Sequence, residues 1–397
     1  MNILLYSNTF LPAIGGREIV VHYLAKSLHS MGHNVRVAGP SGWWRHRKLR
    51  LDYPIHRWPT LRGLMDQTVR TTQLQLECAM WKTDIIHAHN TFPCGFTAAK
   101  VSVKNKLPLL ITPHGMDIHV IPELGFGHRL DPQKRKMSDF ALEKAELTTA
   151  ISDNIKKSLN EAGVADHKIR IIPNGIDLER FQKKIDINIR HQYGFPDDAH
   201  IILSVGNYHK RKGLEHLIEA MPWMLRHNEK VRLIIVGRSD DVLKTSVENL
   251  KLNEKVILTG PIRFPALFAK DHGATEPDLL AAIYTQSDIY ASASMDEGAE
   301  GLSLALLDAT AAGLPIVATD ISGNRDIVTN GQNGFLVPVQ SPQEIAEGVL
   351  KILADPESKA VMGEKSLNIA TDYSWQSVAH RYVETYAEVI DRHRRKF

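Results

Sequence analysis

Cysteine is scarce. Cys78 and Cys94 are the only two in 397 residues, which excludes a disulfide framework and leaves no thiolate set for a zinc site. Both read as free structural thiols. Long apolar runs are missing as well: no stretch approaches the ~18 uninterrupted apolar residues of a spanning helix. The opening Met1 to Tyr6 is too short, and lacks the basic leader, for a signal peptide. A cytoplasmic protein is expected. Charge of one sign is also lacking, since 48 Lys and Arg meet 45 Asp and Glu, and a net +3 is too small for a nucleic-acid binder. The imbalance is local. Between Trp43 and Arg70, seven basic residues (Arg45, Arg47, Lys48, Arg50, Arg57, Arg62 and Arg70) meet only Asp52 and Asp66. What remains, 43% apolar and 23% charged at a mean hydropathy of -0.21, suits a globular chain of two to three domains at roughly 150 residues each.

Short β-branched runs alternate with longer amphipathic stretches, the pattern of parallel sheets with crossover helices. The first half reads as strands at Asn2 to Tyr6, Asn34 to Ala38, Asp84 to Ala88, Leu109 to Thr112 and Leu147 to Ile151. Apolar residues from Ile19 to Met31 recur at helical spacing between the first two, with Gly32 as C-cap. The alternation restarts with strands at Ile201 to Val205, Val231 to Val236, Lys255 to Thr259, Asp288 to Ala291, Pro315 to Ala318 and Gly334 to Val337. Two successive α/β sheets are implied, joined by the turn-rich segment from Pro173 to about Asp198, with a boundary near residue 185. From Trp375 a terminal amphipathic helix carries Val378, Tyr382 and Tyr386 and ends in the basic run Arg392 to Lys396.

Ligands of open α/β sheets bind beyond the C-terminal ends of the strands, so the loops there carry the chemistry. After the first strand, Gly15 and Gly16 open a helix, where backbone N–H groups and the helix dipole can meet an anion. This is not the G-x-G-x-x-G fingerprint, and a plain tight turn also accounts for the pair. After the first strand of the second half, Gly206-Asn207-Tyr208 precedes His209-Lys210-Arg211-Lys212-Gly213. Three fixed cations at a strand-to-helix turn make a second anion site; the bland alternative is a solvated basic loop. Glu300-Gly301-Leu302-Ser303 opens an apolar helix, with Asp308 eight residues past Glu300. Eight residues of helix cover roughly 12 Å and return to within about 80° of the same face, so the two carboxylates could bracket a diphosphate linking two sugars. An acidic first turn explains Glu300 alone and leaves Asp308 unexplained. His114, in His114-Gly115-Met116-Asp117, can hydrogen-bond a substrate hydroxyl or be a bystander. His87 and His89 share a strand face but have no third metal ligand at diagnostic spacing.

Taken together, the order and spacing of these loops resemble the retaining glycosyltransferases of the GT-B architecture, family 4, glycosyl transferases group 1. The resemblance spans essentially the whole chain. It rests on Pro12 to Gly16, Gly32-His33, Asp84 to His89, His114 to Asp117, Pro173 to Asp177 with Phe181, Lys212-Gly213, Glu300 to Asp308, and Ala312 to Ala318.

The resemblance implies two Rossmann-like domains facing each other across a cleft, with the C-terminal helix crossing back to the N-terminal domain. Residues 1–185, with 374–397 packing back, would bind the acceptor, and 186–373 the nucleotide-sugar donor. It further implies transfer of a hexosyl unit from a nucleotide diphosphate sugar to a hydroxyl acceptor, in glycan, lipopolysaccharide or glycolipid biosynthesis. His114, Glu300 and Lys212 are the implied catalytic residues. Gly15, Gly16, Asn207, Arg211, Lys212, Glu300, Gly301, Leu302, Ser303 and Asp308 would bind the donor, with Gly16 and Lys212 at the diphosphate and Asp308 at the ribose. Two positions depart from the family, which usually has Arg where Asn207 stands and Glu where Asp308 stands. No Asp-x-Asp pair stands out, so no metal and no other cofactor is expected. Trp43, Trp44 and Trp58 lie within the basic segment, and Trp43, Trp44, Arg45, Arg47, Lys48 and Arg50 suit a lipid-linked acceptor or peripheral contact with the inner, anionic face of a membrane. The rival readings are a nucleotide-sugar epimerase, which needs no acceptor, a non-catalytic nucleotide-sugar binder, and a nicotinamide oxidoreductase, disfavoured by the missing fingerprint.

Overall fold

The computed structural model describes residues 1–13, 15–40, 51–58, 66–262, 277–295 and 302–396. The chain divides into two compact units, Met1–Gly175 with Trp375–Phe397, and Ile176–Ser374. Among the described residues no helix is long and apolar enough to cross a membrane.

Unit 1 runs β1 (Asn2–Tyr6), α1 (Gly16–Ser30), β2 (Asn34–Pro40), β3 (Ile55–Trp58), α2 (Asp66–Trp81), β4 (Ile85–His89), α3 (Phe96–Asn105), β5 (Leu109–Thr112), α4 (Pro132–Lys144), β6 (Leu147–Ala150), α5 (Asp153–Glu161) and β7 (Ile169–Ile171). Its seven strands pair in parallel in the order β3-β2-β1-β4-β5-β6-β7. Helices cover both faces of such a sheet, so the central strands are buried throughout and mostly apolar; all five residues of β4, histidines included, are buried. The sequence pattern misses β3 and β7, the two edges of this sheet. Edge strands are short and interrupted by charge, as Arg57 and Arg170 are here.

Unit 2 runs α6 (Leu178–Gln182), α7 (Ile189–Gln192), β8 (His200–Val205), α8 (Leu214–His227), β9 (Val231–Val236), α9 (Asp241–Asn249), β10 (Val256–Gly260), α10 (Leu279–Gln286), β11 (Ile289–Ser292), α11 (Leu304–Ala311), β12 (Ile316–Thr319), α12 (Ser322–Arg325), β13 (Gly334–Val337), α13 (Pro342–Ala354) and α14 (Pro356–Asp372). The six strands are parallel in the order β10-β9-β8-β11-β12-β13, the doubly wound arrangement expected.

The chain then returns to unit 1 as α15 (Trp375–Arg394). Val378, Tyr382, Tyr386 and Val389 form its buried stripe, and the Trp375 ring stacks on Tyr23 at 5.8 Å. A Cβ at Gly175 would lie 2.5 Å from the Trp375 indole, so only glycine allows that approach. The basic end of α15 is engaged within unit 1: Glu146 pairs with His393 at 2.7 Å, and Arg170 and Arg392 pair with Glu388 at 2.5 and 2.7 Å.

Two expectations need correction. The boundary near residue 185 moves to Gly175 and Ile176, because Ile176 donates its amide to Tyr373 O at 2.8 Å and, with Phe181 and Ile189, packs into the core of unit 2. Trp58 is no surface aromatic. It is buried in the core of unit 1, stacked on Tyr6 at 6.3 Å. Arg57 and Arg70 of the basic segment are also engaged there, by Leu11 O at 3.0 Å and Asp66 at 2.8 Å.

Candidate active site

Each sheet reverses its strand order once, between β1 and β4 in unit 1 and between β8 and β11 in unit 2. The loops leaving those strands are where an open α/β sheet binds ligands.

In unit 2, the loop after β8 is tied to its neighbours before it carries charge. Gly206 donates its amide to Val236 O at 2.8 Å, Asn207 Oδ1 accepts the Arg238 amide at 3.0 Å, and Tyr208 donates to Arg238 O at 2.6 Å. His209 Nδ1 accepts the Arg211 amide at 3.3 Å, opening the single turn Lys210–Lys212. Gly213 closes it at φ 56, where a Cβ would clash with Ala293 O, and the Met295 amide donates to Arg211 O at 2.8 Å. The turn is thus locked onto the chain leaving β11, with its cations at the N-terminus of α8. Lys212 and Arg211 are half-buried and Lys210 is exposed. The exposed Arg238, which sequence reading passed over, joins this edge through the register of β8 with β9.

The helix α11 begins at Leu304 with Ser303 as N-cap, and the buried Leu302 side chain anchors its entry in the core of unit 2. Glu300 and Gly301 lie outside the described residues, as do Trp43, Trp44, Arg45, Arg47, Lys48 and Arg50. The Glu300 end of the proposed bracket is therefore undescribed. Its Asp308 end, half-buried on α11, is no simple solvent-facing carboxylate. Arg180 Nη1 lies 3.7 Å from Asp308 Oδ2, while Arg180 Nε and Nη2 grip Asp278 at 2.7 and 3.0 Å. Burial, with Asp278 and Asp177 adding to it against Arg180, pushes the Asp308 carboxyl up to about 6. Neither Arg180 nor Asp278 was singled out from sequence. The only signal was an arginine inside the Pro173 to Phe181 motif.

In unit 1, Gly15 is the extended N-cap of α1 and Gly16 its first residue, so the Gly16 amide is among the N–H groups that the helix itself leaves unpaired. A Cβ at Gly15 would sit 2.6 Å from Glu18 Oε2. Glu18 is fixed in turn: Thr9 donates its hydroxyl to Glu18 Oε1, and Arg17 reaches both, meeting Glu18 at 2.8 Å. Although burial opposes it, Thr9 and Arg17 hold the Glu18 carboxyl below its ordinary range.

The ends of β4 and β5 bring histidines together. His89 Nδ1 and His114 Nε2 are 3.0 Å apart, and the His87 ring lies 4.2 Å from that of His89. Both His87 nitrogens are taken, by Thr112 Oγ1 at 2.6 Å and by the Tyr386 hydroxyl at 2.8 Å, which removes the metal reading of the His87 and His89 pair. Asp117 joins the two loops, accepting the His114 amide at 2.9 Å and the Thr91 amide at 2.6 Å. Burial, reinforced by the Arg17 charge, drives His89 down to about 3; burial, the His89 ring and Arg17 drive His114 well below its ordinary value. Both imidazoles are neutral near pH 7. Among the described residues, no three His, Cys, Asp or Glu side chains group as metal ligands.

The comparisons with known proteins fit this geometry. Residues 186–368 match the Glycosyl transferases group 1 family, and residues 14–180 match Glycosyltransferase Family 4. N-acetyl-alpha-D-glucosaminyl L-malate synthase of Bacillus anthracis is 22% identical over 96% of this chain and 96% of its own. D-inositol 3-phosphate glycosyltransferase of Corynebacterium urealyticum is 27% identical over 76% of this chain and 71% of its own. The crystal structure of Anabaena HepE in complex with UDP-glucose superposes with a TM-score of 0.77 at 19% identity, covering 97% of this chain and 99% of that one. With one match on each half, and with the two doubly wound sheets above, the chain belongs to the family 4, group 1 glycosyltransferases of the GT-B class.

Proposed function

We propose that this glycosyltransferase moves a hexosyl unit from a nucleotide diphosphate sugar to a hydroxyl acceptor, with retention at the anomeric carbon and without a metal ion. The observation that carries this reading is the Lys210–Lys212 turn, locked by Gly213 at the N-terminus of α8 beside the strand-order reversal of unit 2. Breaking the bond from anomeric carbon to diphosphate builds negative charge on the leaving group, and preorganised cations there stabilise the transition state most. Lys212 and Arg211 take that role in place of a metal. Asp308 holds the ribose, the amides entering α11 at Leu302 and Ser303 meet phosphate oxygens, and Glu300 and Gly301 are assigned to the sugar and phosphates by the family pattern. Unit 1 presents the acceptor, whose attacking hydroxyl gives its proton to the leaving phosphate oxygen. Gly16 offers an anion the N-terminal amide of α1, and His114 hydrogen-bonds the sugar.

The donor assignment draws on HepE, which was crystallised with UDP-glucose. The acceptor is a glycan or lipid-linked hydroxyl, with Trp43, Trp44, Arg45, Arg47, Lys48 and Arg50 meeting an anionic membrane surface. Vesicle binding unchanged after neutralising those four cations removes that contact.

Thermal denaturation with a panel of nucleotide sugars, UDP-glucose first, tests the core of the reading. The true donor at 100 times its Kd should stabilise by about 2.7 kcal/mol and raise Tm, with or without EDTA. No shift with any nucleotide sugar overturns the assignment; a shift lost in EDTA overturns metal independence.

A further inference from the structure

His89 is fully buried on the central strand β4, yet the reaction outlined above gives it no task. Among the described residues its ring hydrogen-bonds with His114, whose Nε2 lies 3.0 Å from His89 Nδ1. Its other nitrogen, Nε2, is buried with no hydrogen-bond partner among the described residues. Two neutral imidazoles joined in this way share one proton, and only two arrangements exist. If His114 donates, His89 must carry its own proton on Nε2, as an orphaned buried N–H. If His89 donates, its Nε2 is a bare lone pair. Among buried backbone groups an orphaned N–H is rarer than an under-satisfied acceptor, and we carry that asymmetry over to the ring nitrogens. The second arrangement is therefore favoured, and it leaves the His114 proton on Nδ1.

We propose that His89 is a positioning residue that donates from Nδ1 to His114 Nε2 and so fixes His114 as the Nδ1–H tautomer. His114 is half-buried, and Nδ1 is the ring nitrogen that His89 leaves for a ligand. His114 therefore offers a hydrogen-bond donor to a substrate oxygen, while its one ring lone pair, on Nε2, is taken up by the His89 proton and is not free to act as a base. The surroundings hold the pair in register. The His87 ring flanks His89, Thr112 and Tyr386 hold His87, and Asp117 pins the ends of β4 and β5 through the Thr91 and His114 amides. This deepens the reading of the same site and rests on it for the identity of the ligand, a sugar hydroxyl or ring oxygen.

The tautomer can be read without substrate. In long-range proton–nitrogen spectra of the full chain labelled with 15N-histidine, with His114 assigned by its loss in His114→Gln, the ring should show a proton on Nδ1 and a bare Nε2, unchanged from pH 6 to 8. A proton on Nε2, or a ring that titrates in that range, overturns the proposal whatever the reaction proves to be. Kinetics with UDP-glucose give a second readout. His89→Phe should lower kcat about 10- to 100-fold with KM for UDP-glucose within about threefold, and His89→Asn, which keeps a donor near Nδ1, should recover to within about fivefold of wild type. Equal losses in both variants, or a loss confined to KM, also overturn it.

Discussion

Units 1 and 2 share a parallel sheet whose strand order reverses once, yet unit 1 places neutral imidazoles and a helix amide at the reversal whereas unit 2 places a Lys-Arg-Lys turn there. Burial accounts for the difference. The histidines of β4 are 0% exposed, and desolvation disfavours a charged ring there. The loop after β8 leaves the sheet at Gly206 and carries its cations on a turn that reaches water. The edge of unit 1 offers hydrogen-bonding groups, which suit a hydroxyl, and the edge of unit 2 offers fixed charge, which suits a diphosphate.

That contrast can be broken or sharpened experimentally. The largest effect concerns continuity: unit 2 is one segment, whereas unit 1 needs α15. Ending the chain after Ser374 removes Trp375, Tyr382 and Tyr386 and leaves His87 Nδ1 unpaired. Hydrogen exchange should then show unit 1 unprotected and unit 2 protected; a protected unit 1 would show that the helix is an accessory. Next, Lys212→Ala should lower transfer from UDP-glucose about 100- to 1000-fold with an unchanged far-UV spectrum, and a wild-type rate would sink the cationic half of the contrast.

A smaller effect follows from Asp308. Its carboxyl is raised to about 6 by burial, so the folded state binds that proton more tightly than the unfolded chain, and the group's stabilising contribution falls as pH rises from about 4 to 6. Under the proposed donor role of Asp308, binding runs the other way, because the ionised form is the one that would accept ribose hydroxyls. Titration calorimetry should show UDP-glucose affinity falling up to about tenfold from pH 7.5 to 5, a slope that Asp308→Asn flattens. An identical slope in that variant assigns the dependence elsewhere. The smallest effect is inertness: burial pushes the Cys78 and Cys94 thiols up to about 12, so iodoacetamide at pH 8 should leave both unmodified until the protein unfolds.

The central strands were legible in the sequence because burial on both faces demands near-continuous apolar runs, as in residues 233–236 and 109–111. The edges β3 and β7 were not, since one side of each meets no further strand and Arg57 and Arg170 are tolerated there. In the candidate site, the places of Gly15-Gly16 and Lys210–Lys212 at strand-to-helix turns were legible, because such a turn lies within a few residues. Their partners were not. Arg180 meets Asp278 and Asp308 across nearly a hundred residues or more, and Arg238 reaches Asn207 through the pairing of β8 with β9.

By itself, the sequence determined the alternation of strands and helices, the doubling into two sheets, and the residue types at the strand ends, because those depend on local periodicity and composition. The return of α15 to unit 1 was implied by the family resemblance; only the tertiary structure decided that Trp58 is core, and that His89 addresses His114 while Arg180 addresses Asp308. Strand order and side-chain burial set these pairings, and both arise from packing among elements far apart in the chain.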